Sequence, residues 1–145
     1  MPQARRVLLH GSPRYYTDGR CLRPRLPEVR VAAWAVVGRS GDGAWWSQAG
    51  PCPGLQTIGR AELAAVVHVL LDAEPGTIVT DCLGIKTKCV AILRGQVPME
   101  AVLKGANADL WWEVWQVLRK VQCWTFEWLP RGGCSRRVGG GLARR

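Results

Sequence analysis

Hydrophobic and polar positions change their period several times along this chain, and each change marks an element. Residues 31–39, VAAWAVVGR, and 44–50, AWWSQAG, are β-prone runs separated by Ser40-Gly41-Asp42-Gly43, a strong turn signal, and together they predict a hairpin. The run ending in Tyr15-Tyr16-Thr17-Asp18-Gly19 adds a third antiparallel strand. Residues 51–59, PCPGLQTIG, cannot form regular structure. From Arg60 the period becomes helical, with Leu63, Val66, Val67, Leu70 and Leu71 on one stripe until Pro75-Gly76 ends it. TIVTD (77–81) is a short buried strand, and a helix through Ile85, Val90 and Leu93 stops near Gly95. Asn107 or Asp109 caps the next helix, which runs to about Val121, and WTFEWLP alternates as a strand as far as Pro130. The order β-β-β-α-β-α-α-β specifies an α/β fold, a mixed sheet with helices packed on it.

Composition changes this picture mainly at the ends. The net charge is +9, yet residues 1–30 hold seven Arg against Asp18 and Glu28, and residues 131–145 hold five Arg and no acid. The hundred residues between carry eight basic and nine acidic groups, so a near-neutral folded middle has cationic ends that suit a polyanion. The domain reading is a basic extension (1–12), a folded domain (13–130) and an Arg/Gly-rich tail (131–145) with almost nothing to bury. Six cysteines without a C-x-x-C pair argue against a zinc site or a disulfide framework and for reduced thiols. No apolar run is long enough to span a bilayer, which leaves membrane association out of the expectation. An intracellular protein is expected, nuclear or cytoplasmic, with a mitochondrial address left open by the acid-free N-terminus.

Three acids stand out against that charge. Asp18 and Asp81 each end a β-prone run in Thr-Asp, and Glu62 lies beside the apolar stripe at the start of the first helix. Asp18-Gly19 alone reads as a turn, and Glu62 alone as a partner of the helix dipole. If the strands bearing Asp18 and Asp81 are adjacent and parallel, both acids emerge at one edge beside Glu62. Converging carboxylates repel and call for a compensating cation. Hard oxygen donors suit Mg²⁺, with Mn²⁺ as a substitute, and two such ions can drive phosphodiester hydrolysis.

TDG at 17–19, RAEL at 60–63, TDCLGI at 80–85 and NADLW at 107–111, in this order and spacing, resemble the ribonuclease H family. The similarity is greatest to the ribonuclease H domains of reverse-transcribing elements, covers roughly residues 13–130, and includes Trp128-Leu129-Pro130 after the last strand. It implies a five-stranded mixed sheet, three strands antiparallel and two parallel, and two-metal hydrolysis of the RNA strand of an RNA/DNA hybrid. Asp18, Glu62 and Asp81 match the first three carboxylates of the family and are the expected catalytic and metal-binding residues. The departures are Arg20, where the family has a small residue, and the stretch after Pro130. There RGGC replaces a His-bearing loop, no Asp or Glu follows Glu127, and the C-terminal helix that carries the fourth carboxylate is expected to be missing. The resemblance also implies membership of a larger reverse-transcriptase polyprotein or a relic of one. A binding module of the same fold without turnover is the alternative.

Substrate contacts are expected from Gly19, Arg20 and Arg60, and from Gln56 and Thr57, whose polar groups could sense a 2′-hydroxyl. Trp34, Trp111, Trp115 and Trp124 fall on apolar stripes and read as core, whereas Trp112 lies off the stripe and is a candidate to stack on substrate. His68 falls on the polar side of its helix. Trp45 and Trp46, adjacent in a strand, must point to opposite sheet faces. One of them then faces the side without a helix, so the chain is expected to be a monomer prone to associate.

Overall fold

A computed structural model describes residues 11–23 and 25–130. The expectations placed on residues 1–10 and 131–145, the missing C-terminal helix included, lie outside the described residues. The elements in order are β1 (Arg14–Leu22), β2 (Val31–Arg39), β3 (Trp45–Pro51), α1 (Ile58–Asp72), β4 (Thr77–Thr80), α2 (Leu83–Leu93), α3 (Met99–Lys104), α4 (Ala108–Lys120) and β5 (Thr125–Trp128), with a 3₁₀ turn at Pro27–Val29. The sheet order is β3-β2-β1-β4-β5. The first three strands are antiparallel, while β1–β4 and β4–β5 are parallel, so the mixed five-stranded sheet takes the expected form.

Alternation explains which face is covered. Along β1, Tyr15 and Thr17 are buried while Tyr16 and Asp18 are half-buried, and along β2 Ala32, Trp34 and Val36 are buried. Tyr15, Trp34 and Val36 meet Leu63, Val66, Val69 and Leu70 of α1, with Ile78, Phe126 and the α4 residues Trp111, Val114 and Leu118 in the same core, while Ala32 packs with Cys52 and Ala61. Each such side chain contributes about 1.5–3 kcal/mol of burial. β4 is buried at all four positions, as expected of a parallel strand flanked on both edges. Trp46 points into this core, its ring 5.9 Å from that of Tyr15, and Trp45 points to the other face.

Three elements differ from expectation. β1 runs past Asp18 to Leu22 and stays paired with β2 throughout, so Asp18 lies within the strand rather than at its end. α1 begins at Ile58 rather than Arg60, because Thr57 accepts a hydrogen bond from the Arg60 amide and caps the helix from there. Ile58 is exposed and Gly59 has no side chain, so neither marks the apolar stripe. α3 was not anticipated: its six residues are too few to show a period, and it buries only Val102. Among the described residues no helix is long and apolar enough to cross a membrane, and Cys21, Cys52, Cys82, Cys89 and Cys123 are free thiols.

Candidate metal centre

β1 and β4 are parallel neighbours, with Thr17 opposite Thr80, so the next residues, Asp18 within β1 and Asp81 just beyond β4, lie side by side. Thr17 donates its hydroxyl to the Val79 carbonyl at 3.3 Å, tying the two strands just before the acids. The turn beyond β4 is fixed by the Thr80 hydroxyl, which accepts from the Cys82 amide at 3.1 Å. The Trp128 indole N–H donates to the Asp81 carbonyl at 3.1 Å, and the Leu129 amide to the Thr80 carbonyl at 3.0 Å. Asp81 is thus held by the end of β5 as well as by its own strand.

Glu62 reaches the same place because α1 lies almost on β1 at Gly19. A Cβ at Gly19 would overlap the backbone of Ala61 and Glu62, so only glycine allows this approach. One carboxylate oxygen from each of Asp18, Glu62 and Asp81 lies within 4.8 Å of the others. All three residues are half-buried. Since the helix starts at Ile58, Glu62 is its fifth residue, past the first turn where the dipole acts. Burial and the neighbouring charges of Asp81 and Asp18 push its carboxyl up to about 7, while a hydrogen bond with Cys82 opposes the shift. A hard cation accepting oxygen donors would reverse this balance, and the donor set fits Mg²⁺ or Mn²⁺. Arg20 stands at the rim, its Nε 3.9 Å from Asp18, with a largely exposed side chain.

The other expected site residues are placed differently. Arg60 is buried: its guanidinium donates to the Pro53 carbonyl, to Asn107 Oδ1 at 3.3 Å, and to both oxygens of Asp109 at 2.8 and 2.6 Å. It joins the 52–57 loop, α1 and the start of α4, and it holds the Asp109 carboxyl down at about 2. Asn107 adopts the left-handed conformation (φ 56°) at the α4 N-cap without capping through its side chain, which serves Arg60 instead. Gln56 spends its amide inside the loop, donating to the Cys52 and Gly54 carbonyls at 2.7 and 2.9 Å and accepting from the Ala32 amide at 2.8 Å.

Trp112 is half-buried and stacked on Trp115, 5.4 Å between centroids. The exposed tryptophans are Trp45 and Trp128, at 60% and 44%. His68, half-exposed, lays its ring on Trp34 at 3.9 Å and pairs with Asp72 at 3.4 Å. Sequence reasoning missed Cys82 beside Glu62 and the Trp128 brace on Asp81; the only signals were the adjacency of Cys82 to Asp81 and the Trp-Leu-Pro strand end.

No family model and no curated protein matches the sequence. Solved structures do match its fold. The solution structure of the prototype foamy virus RNase H domain aligns with a TM-score of 0.64 at 18% identity, over 81% of this chain and 78% of that one. The foamy viral protease-reverse transcriptase in complex with an RNA/DNA hybrid aligns at 0.69 and 16% identity, over 85% of this chain and 18% of that one. The same enzyme in complex with dsDNA aligns at 0.61 and 18% identity, over 87% of this chain and 85% of that one. With its sheet order and with Asp18 on β1 beside Asp81 at the end of the parallel β4, the chain has the ribonuclease H-like fold, and its structural neighbours include the RNase H domain of foamy virus reverse transcriptase.

Proposed function

We propose that this chain is a divalent-metal-dependent endonuclease of the ribonuclease H type that hydrolyses the RNA strand of RNA/DNA hybrids, and that it derives from a reverse-transcriptase polyprotein of a retroelement. The observation that carries the proposal is the convergence of Asp18, Glu62 and Asp81 within 4.8 Å in a chain with a net charge of +9. A cluster of like charges half-removed from water disfavours the folded state unless it serves a ligand. The foamy virus enzyme that shares the fold has been solved with an RNA/DNA hybrid, which supports the choice of substrate.

Asp18, Glu62 and Asp81 would hold the metal, two ions in the full site. Bound there, Mg²⁺ or Mn²⁺ supplies the positive charge that stabilises cleavage of a phosphodiester. The chain supplies position. Asp18 and Asp81 are fixed by paired strands and by Trp128, and Glu62 by the close contact of α1 with Gly19. With its carboxyl pushed up to about 7, Glu62 is divided between protonated and ionised forms near neutral pH, and a cation would favour the ionised form. Arg20, exposed beside Asp18, is positioned for a phosphate of the incoming strand.

The test is cleavage of a hybrid labelled on its RNA strand, with Mg²⁺ or Mn²⁺ added. Cleavage is expected with the wild-type chain and is expected to disappear in Asp18→Asn. Tight, metal-independent binding of the hybrid without cleavage would replace the enzyme with a binding module of the same fold. Equal cleavage of all-DNA duplex would overturn the substrate assignment.

A further inference from the structure

The sheet face opposite the helices carries a second group of chemistry-bearing residues. Along β1 that face presents Arg14, Tyr16, Asp18 and Arg20, and along β2 it presents Val37 and Arg39. Trp45, opposite Arg39 on β3, lies on the same face and is 60% exposed. The Trp45 and Tyr16 rings stack with centroids 6.4 Å apart and planes 26° from parallel, and Val37, the β2 residue paired with Tyr16, is 43% exposed. The Arg39 guanidinium lies 5.7 Å from the Trp45 ring centre and the Arg14 guanidinium 5.9 Å from that of Tyr16. Arg14 is also paired with Glu127 at 2.7 Å, which neutralises it and fixes its plane. Next to the two arginines is a hollow of about 380 Å³ edged by the hydroxyl-bearing Ser12 and Ser40, with Thr77, whose hydroxyl is paired with that of Thr125 at 2.6 Å, behind them. Asp42, at the same hollow, is engaged with its own turn, accepting from the Ala44 amide at 3.0 Å.

Flat aromatic rings alternating with guanidinium planes, beside a hydroxyl-edged hollow, match the faces and phosphates of an unpaired nucleic-acid strand. A purely apolar partner would leave Arg39 and these hydroxyls without matching groups. We infer that the open sheet face binds single-stranded nucleic acid, with bases stacked on Trp45 and Tyr16 and a phosphate held at Arg39 and the hydroxyl-edged hollow. Stacking does not read the sugar, so RNA and DNA strands bind alike. Asp18 lies on the same face two residues from Tyr16, about 7 Å along the strand. A strand on this platform therefore passes directly to the acidic site. The inference needs no catalysis, and it places the unpaired end of a substrate on a surface separate from the α1 side.

The experiment measures fluorescence anisotropy of labelled oligonucleotides of about twelve nucleotides, with no divalent metal and in the Asp18→Asn background, so the outcome is independent of whether the chain cleaves hybrids. Trp45→Ala is expected to weaken binding of single-stranded RNA and DNA by about tenfold or more, and Trp45→Phe to restore most of it. Arg39→Gln is expected to weaken both and to reduce the slope of log affinity against log salt by about one. Trp45 is exposed, so its removal spares the core. Unchanged single-strand affinity in Trp45→Ala overturns the inference. So does concentration-dependent dimerisation of the wild-type protein that Trp45→Ala abolishes, which would make this face a contact between copies.

Discussion

Arg60 and Glu62 lie two residues apart on α1, and both place a charge where water is scarce. Arg60 has every neighbour it needs: a bidentate carboxylate, an amide oxygen and a backbone carbonyl. Glu62 has two further carboxylates. The Arg60 cluster holds Asp109 ionised down to about 2, whereas the Glu62 cluster drives a carboxyl up to about 7. A charge paired with its opposite fastens the fold, and charges gathered with their like leave a place that a cation would suit. The helix register alone decides which is which. Arg60 turns towards the 52–57 loop and α4, and Glu62 turns towards β1 and β4.

The sharpest break of this contrast is on activity. Asp18→Asn or Glu62→Gln is expected to lower Mg²⁺-dependent hybrid cleavage by about a thousandfold, several kcal/mol of transition-state stabilisation. Single-turnover assays check this, and a loss under about tenfold would remove the residue from the metal site. Glu62→Gln should at the same time raise the melting temperature without metal, since it removes a repelling charge. Arg60→Met should do the reverse, destabilising the fold by about 2 kcal/mol or more by leaving the Pro53 and Asn107 oxygens without their donor. Denaturant unfolding measures it. An unchanged midpoint would mean that the loop and α4 are held by other contacts.

How much of this contrast could be read beforehand follows from which interactions are local. Asp81 was legible because it ends a β-prone run and Glu62 because it borders a helical stripe, whereas Asp18 was read as a strand end although β1 continues to Leu22. The bonds of Arg60 were not foreseen because its partners lie 47 and 49 residues away, at the start of α4, and no local pattern announces them. The same holds for Gln56, whose amide folds back on its own loop and on Ala32. Trp112 reads as exposed from its helical position, but it covers Trp115, whose indole is drawn aside to donate to the Val97 carbonyl at 3.0 Å. The hairpin tryptophans behave as alternation requires, because a two-residue period leaves a strand no choice.

Two smaller effects sharpen the contrast. Mg²⁺ is expected to raise the melting temperature of the wild type, by an amount that grows with the logarithm of metal concentration, and to leave Glu62→Gln nearly unmoved. Equal shifts in both would place the ion elsewhere. The pH dependence without metal should differ in sign between the clusters. Glu62 has a folded pKa above its ordinary 4.5, so the folded state holds the extra proton and stability falls as pH rises from that value to about 7. Asp109 has a folded pKa below its ordinary 3.8, so its contribution is present above that value and is lost as pH falls towards about 2. Melting curves across this range check both, and Glu62→Gln should flatten only the upper limb.

The brace from Trp128 to Asp81 ties the acidic site to the order of synthesis. Asp18, Glu62 and Asp81 all precede β5 in the chain, and β4 has β1 as its sole strand neighbour until β5 emerges and pairs along its other edge. A nascent chain that stops before Thr125 therefore holds all three acids while Asp81 still lacks the indole that fixes its turn. On the proposed reading as a metal centre, the site is complete only once the last strand has docked against β4.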